Sequence, residues 1–321
     1  MAAGIDIVQL TGSRRTAAGP AGPVSARPRR PRGDRVAYLF LAPWFVGLAL
    51  LTAGPLIGSL YLSFTDFNLL QPPTWTGVAN YVKMFTDDPR YLQSLKVTFI
   101  YVLLTVPLQL GFALAVAMLL NRQLRGMAWY RSIYYVPSLL GGSVAIAVIW
   151  SQIFDNDGVL NGFLAFFGIV GKSWISNPET ALYTLVLLNV WQFGSPMVIF
   201  LAGLKQVPQE LYDAASVDGA GAWRRFRSIT VPMLTPIIFF NVVLQIIQAF
   251  QAFTPAYVVS GGTGGPSDST LFYTLYLYQQ GFANLNMGYA SAMAWVLLLI
   301  IAAFTLINFV FARRWVYYED R

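Results

Sequence analysis

The sequence holds no cysteine and no histidine, and only 11% of its 321 residues are charged. The missing cysteine excludes disulfides and thiolate chemistry, and both absences together exclude the zinc, haem and iron–sulfur sites that need those ligands. Histidine-based acid–base and triad catalysis go with them, and most enzyme classes end there. A soluble domain carries about 25% charged residues, because its surface must be solvated. This chain lacks such a surface. In its place stand 56% hydrophobic residues and a mean hydropathy of +0.55, the composition of an all-α integral membrane protein.

A membrane helix needs about 20 largely apolar residues. Six stretches meet that requirement, at 37–62, 97–120, 132–154, 181–204, 233–258 and 289–312. The third and fifth carry the most polar residues. Prolines sit inside most of them, at Pro43, Pro55, Pro107, Pro137, Pro196, Pro236 and Pro255. Such prolines are tolerated where neighbouring helices or water satisfy the freed carbonyls.

Basic residues alternate between the connecting segments. Residues 1–35 carry seven Arg, 121–131 three, 205–230 one Lys and three Arg, and 313–321 three Arg. The alternate segments hold only Lys83, Arg90, Lys96 and Lys172. The positive-inside rule then predicts that both termini are cytoplasmic. The net charge of +7 is therefore a topology signal at the membrane rather than a nucleic-acid footprint.

Residues 1–35, rich in Arg, Pro, Gly and Ala, read as a disordered basic cytoplasmic tail that touches anionic lipid heads; residues 36–321 form the transmembrane domain. The tail has neither the apolar run nor the cleavage site of a signal peptide. The outer segment 63–96 contains SFTDFN, QPPTW and DDPR, turn signals with aromatics that suit a small structured cap or a docking surface. Asp155–Asn156–Asp157–Gly158 opens like a calcium loop but lacks the glutamate at its twelfth position, which favours a plain turn. Phe166–Ser173 ends like a phosphate-binding loop, with Phe166 where the motif requires glycine. Gly261–Pro266 follows a membrane helix rather than a strand and reads as a flexible bend.

The most informative segment is 205–232. Pro208 suits the first turn of a helix, and Gln209, Glu210 and Asp213 place acceptors and negative charge at its positive end. Ala214 and Ala215 are small enough for another protein surface to approach closely. Asp218–Gly219 signals a turn, with Gly219 free to take φ > 0. A second amphipathic helix is predicted next, with Trp223, Phe226 and Ile229 on one side and Arg224, Arg225 and Arg227 largely on another. On physics alone, a helix–turn–helix knob at the inner membrane face and a merely capped interfacial helix account for these residues equally well.

The same segment resembles the EAA loop of binding-protein-dependent ABC importer permeases, whose pattern is E-A-A, three residues, G, nine residues, then I-x-L-P. Asp213–Ala214–Ala215, Gly219 and Ile229–Thr230–Val231–Pro232 stand at that spacing, with Asp for the first Glu and Val for Leu. Leu41–Ala42–Pro43, Leu201–Ala202–Gly203–Leu204, the Gly-Gly-Pro turn and Gly288–Tyr289–Ala290–Ser291–Ala292 look like the sugar-transport branch, and only the tail 1–35 falls outside the likeness. The resemblance implies a type I ABC importer permease fold in a bacterial plasma membrane. It implies as partners a homologous second permease subunit, two ABC ATPase subunits, an extracellular solute-binding protein, a sugar and membrane lipid. ATP and Mg would be held by the ATPase subunits, with no cofactor in this chain and no catalysis of its own. Glu210, Asp213, Ala214, Ala215, Asp218, Gly219 and Ala220 would dock into the ATPase. Arg224 and Arg225 serve equally as further contacts or as charge anchors at the inner face.

A secondary transporter tends to need ionisable groups at mid-span, and none stands there. The spans do carry amides. Asn241, Gln245 and Gln248 fall at i, i+4 and i+7, on one helix face, and Asn189 and Gln192 stand beside Trp191 and ahead of Pro196. Lipid leaves an amide unsatisfied at several kcal/mol, so these five face either a solute path or other helices. Amides with aromatic faces suit a neutral sugar.

Overall fold

The structure is a computed structural model and describes residues 34–121, 126–169 and 171–316. Residues 1–33 of the basic tail, Arg122, Arg125 and Arg321 lie outside the described residues. The chain divides after Gly54 into two units, Met1–Gly54 and Pro55–Arg321. In the first, Asp34–Leu48 is α-helical and Ala49–Ala53 a π-helical turn. Its apolar side chains Leu39, Phe40, Trp44, Leu50 and Leu51 are exposed. The candidate span Tyr38–Ser63 runs on from it into the second unit.

Further helices long and apolar enough to cross a membrane are Pro89–Leu120, Ala222–Val259 and Met287–Trp315, and two bent pairs fill the third and fourth places. The second span starts eight residues before the apolar run suggests. The Asp88 carboxylate accepts the Tyr91 N–H at 3.0 Å, and Pro89 occupies the first turn. That N-cap draws Arg90 and Lys96 into the helix, where both stay exposed beyond the apolar stretch.

The third span is not one helix. Met127–Leu140 and Val144–Ile153 meet at 98°, which overturns the single unbroken helix expected at 132–154. The glycine pair Gly141–Gly142 lets the chain turn, and the Ser143 hydroxyl accepts the Ile146 N–H at 3.3 Å to cap the new helix. The fourth span, Ala181–Trp191 and Gly194–Leu204, bends by 42° just ahead of Pro196, whose ring and missing N–H explain the break.

Packing radiates from the second span, which contacts the fourth, the fifth and the start of the third. Phe99, Phe250 and Phe304 pack ring to ring at 5.3–5.6 Å and join the second, fifth and sixth spans. Glycine sets close approaches. A Cβ at Gly194 would lie 2.9 Å from the Tyr134 carbonyl oxygen and one at Gly203 2.1 Å from Ile237, so the second half of the fourth span touches the third and the fifth almost backbone to side chain.

The segment 63–96 is a structured cap. Thr65–Asp66 pairs antiparallel with Thr74–Trp75, and Ala79–Thr86 forms a short helix. Asn80 Nδ2 donates to the Ser63 and Thr65 carbonyls, both at 2.9 Å. Gly288 N–H at the head of the sixth span donates to the Phe67 carbonyl at 3.1 Å, an approach that any side chain at Gly288 would obstruct.

In the segment 155–174, a single amide organises the turn. Asn161 Nδ2 donates to the carbonyls of Asp155, Asn156 and Lys172, while its Oδ1 accepts Trp174 Nε1 at 2.8 Å. This is the turn expected at Asp155–Gly158. Phe166–Ser173 follows the helix Val159–Phe166, not a strand as a phosphate-binding loop requires; Val170 lies outside the described residues. Replacing Asn161 by alanine strands three carbonyls and the indole N–H, and is expected to destabilise the protein by about 2–3 kcal/mol. A lowered midpoint in detergent thermal melts checks this; an unchanged midpoint refutes the role of Asn161.

Candidate functional site

The helix of the knob spans Gln209–Val217, with Pro208 just outside it at φ −59°, ψ 130°. Proline sits one residue earlier than the first-turn position expected of it. Glu210 lies in the first turn, and Gln209 Nε2 donates to Asp213 Oδ1 at 3.1 Å. The helix ends as a Schellman motif. Gly219 takes φ +72°, its N–H donates to the Ser216 carbonyl at 3.1 Å, and the Ala220 N–H reaches the Ala215 carbonyl at 2.8 Å. No atom would crowd a Cβ at Gly219. Glycine is required there for its backbone angle, not for space.

Glu210, Asp213, Ala214, Asp218 and Gly219 are exposed, and Ala215 and Ala220 are half-buried. They share the surface with apolar side chains: Val217 is 89% exposed and Trp223 72%, beside Leu211. Apolar groups bared together with acids, outside the apolar spans, form a surface suited to a protein partner.

The expected second helix of the knob is not separate. Ala222–Arg225, a π-helical turn Phe226–Thr230 and Val231–Phe250 follow one another without a break, so the knob's outgoing arm is the N-terminal end of the fifth span. Two contacts join the Gln209–Val217 helix to this arm. The Tyr212 and Thr230 hydroxyls hydrogen-bond at 2.9 Å, and Arg225 Nη1 donates to Ser216 Oγ at 2.9 Å. Sequence reading passed over Tyr212, Ser216 and Thr230, since a pair 18 residues apart carries no periodic signal.

The five span amides divide. Gln192 sits at the bend of the fourth span, its Nε2 donating to the Gly141 carbonyl at the break of the third at 2.9 Å. The Gln192 carbonyl in turn accepts Gln109 Nε2 at 3.2 Å and Ser138 Oγ at 2.9 Å. The Tyr101 hydroxyl lies against the Asn189 side chain. Asn241 is fully buried and Gln245 nearly so, whereas Gln248 is exposed. Asn241 Nδ2 bonds the Ile237 carbonyl one turn back, at 3.1 Å, and its Oδ1 has no partner among the described residues. Gln109 Oε1 is another buried acceptor without one among them, and sequence reading did not single it out.

At the head of the second span, Asp88 is a hub. Its Oδ2 accepts the Tyr276 and Tyr289 hydroxyls at 2.7 and 2.6 Å. Burial first, and the bond to the Asp88 carboxylate second, push the Tyr276 hydroxyl above its ordinary pKa. Arg90 grips Asp268 with two nitrogens, at 2.7 and 3.0 Å, and so fastens the glycine-rich bend at 261–266.

Comparison with known proteins gives a consistent result. The family model described as binding-protein-dependent transport system inner membrane component matches residues 87–317. The probable ABC transporter permease protein YesP of Bacillus subtilis (strain 168) is 55% identical over 292 residues, covering 90% of this chain and 94% of the relative. The lactose transport system permease protein LacF of Rhizobium radiobacter is 32% identical over 282 residues, 86% of this chain and 93% of the relative. The fold is shared with the crystal structure of a bacterial alginate ABC transporter in complex with alginate pentasaccharide-bound periplasmic protein, at a TM-score of 0.74 and 20% identity, over 88% of this chain and 95% of that one.

The left-handed angle at Gly219 yields a graded prediction. Valine there costs about 1–2 kcal/mol of backbone strain, and asparagine, which visits this region more readily, costs less. Amide hydrogen exchange at Ala220 is expected to speed up by about tenfold in Gly219→Val and only slightly in Gly219→Asn. Equal protection in both variants would show that the angle is not what holds the cap.

Proposed function

This chain belongs to the binding-protein-dependent transport system inner membrane component family, and from that premise we propose that it is the pore-forming permease of a bacterial ABC importer for a neutral sugar or oligosaccharide. It works beside a homologous second permease, two ATPase subunits that bind ATP and Mg, and an extracellular solute-binding protein. Both termini face the cytoplasm, and the chain hydrolyses nothing itself. The observation that carries this reading is the knob at 209–220: the EAA spacing folds into a capped helix with exposed acids and apolar side chains, continuous with the fifth span. Glu210, Asp213, Ala214, Ala215, Asp218, Gly219 and Ala220 form its ATPase contact. The lactose permease relative supports a sugar, and the lack of Lys or Arg at mid-span supports a neutral one.

Asn189, Gln192, Asn241, Gln245 and Gln248 flank the solute path in this reading. Gln192 acts there chiefly by bridging the two helix breaks; discontinuous helices are where transporters hold their substrates. Because the chain has no cysteine, single cysteines at chosen loops report sidedness by membrane-impermeant labelling. Labelling of a cysteine near 205 from the outside would overturn the orientation.

A tagged chain purified in mild detergent is expected to bring an ATPase subunit with it. Its absence would favour a secondary carrier. Gln245→Leu and Gln248→Leu are expected to leave assembly intact and to lower uptake about fivefold, or shift sugar preference, each removing a hydrogen bond worth about 1 kcal/mol. Wild-type rate and selectivity in both variants would remove this stripe from the path. Loss of assembly instead would make the amides structural.

A further inference from the structure

The geometry points to Tyr212 and Thr230 as the strut that makes the knob and the fifth span a single lever, carrying motion of the knob into the span across a hydroxyl–hydroxyl bond. This rests on the reading of residues 209–220 as the ATPase contact. The knob helix Gln209–Val217 has two routes to the span. One runs through the peptide chain itself, Asp218 to Gly221, a turn held at a left-handed glycine. A turn of this kind is a hinge: it transmits position poorly, because its dihedrals absorb rotation. The other route crosses space directly, from Tyr212 near the middle of the knob helix to Thr230, which is only 6% exposed, at 2.9 Å.

Thr230 occupies a particular place. It is the last residue of the π-helical turn Phe226–Thr230, in which the Val231 N–H bonds the Phe226 carbonyl five residues back. A π turn is a local under-wound register, one residue wider than an α turn, that a one-residue shift returns to α, and such turns concentrate at functional sites. The strut therefore fastens the knob to the one point of the arm with two available registers. Arg225, one residue before the π turn, holds Ser216 at 2.9 Å and keeps the knob helix from swinging about the Tyr212 contact. Two contacts on successive turns fix an angle where one fixes only a distance. Tyr212 and Thr230 thus act as positioning residues: they touch neither nucleotide nor solute.

The test uses the native complex purified through a tag on this chain, with Gln251→Cys carrying a nitroxide label. Gln251 is exposed at the outer end of the fifth span, and the chain has no other cysteine. The ratio of shifted to unshifted label is read with Mg-ATP and vanadate, alongside ATPase capture, hydrolysis rate and melting temperature. In Tyr212→Phe and in Thr230→Val the ratio is expected to fall about fivefold, the ratio set by one hydrogen bond of about 1 kcal/mol. Capture, hydrolysis and melting stay as in the parent. The double variant should fall no further, because both substitutions remove the same bond, and Thr230→Ser should match the parent. A full shift in Tyr212→Phe, or a double-variant loss near the product of the single losses, would overturn the strut. Lowered capture or melting in both single variants would also overturn it, by making the bond merely structural. If the unsubstituted labelled complex captures no ATPase, the ATPase-contact reading itself fails, and the strut with it.

Discussion

A helix that breaks inside a bilayer exposes carbonyls and N–H groups where no water can reach them, and each one left bare costs several kcal/mol. Everything in the middle of this molecule answers to that constraint. The third span breaks after Leu140 and the fourth after Trp191. Gln192 bridges the two breaks, donating its amide N–H to the Gly141 carbonyl and accepting Gln109 Nε2 and Ser138 Oγ at its backbone carbonyl. Ser138 also accepts the Ser195 N–H at 3.0 Å. Three polar side chains and three backbone groups thus close a site that lipid would leave open. Any side chain at Gly141 would collide with the Gln192 amide and displace the bridge.

The same economy of polar contacts governs the two ends. At one end, the Asp88 carboxylate caps the second span and takes two tyrosine hydroxyls from later segments. One carboxylate therefore ties together the start of the second span, the helix Tyr273–Tyr278 and the head of the sixth span. At the knob, the Gln209–Val217 helix hangs on the fifth span by a continuous helix and by side-chain bonds from Tyr212 and Arg225. Between these ends the spans pack through aromatic rings and glycine notches, interactions that tolerate sliding far better than directional hydrogen bonds do. A protein that must move while staying sealed benefits from that division of labour.

Much of this was legible in the amino-acid order. An apolar run long enough to cross hydrocarbon has few alternatives to a helix, so all six stretches fall on helix, four as single candidate spans and two as bent pairs, most ends falling within a few residues. The knob was legible because Pro208, Asp218 and Gly219 act on their own backbone neighbours: the Schellman cap is a local object. The Asn161 turn was half legible, its position read from Asp155–Gly158 but its organising amide not.

Length, apolar runs and local turn chemistry by themselves determined the membrane class, the six helical stretches and the Gly219 turn, because each depends on residues within a few positions of one another. Tertiary structure alone decided the 98° break of the third span, the Gln192 bridge, the Asp88 hub and the Tyr212–Thr230 contact. The reason is distance along the chain. Gln192 finds Gly141 from 51 residues away, and Tyr289 finds Asp88 from 201. A glutamine in an apolar run announces only that it needs a partner. Which partner, and whether the need is met by solute or by protein, is settled where the helices meet.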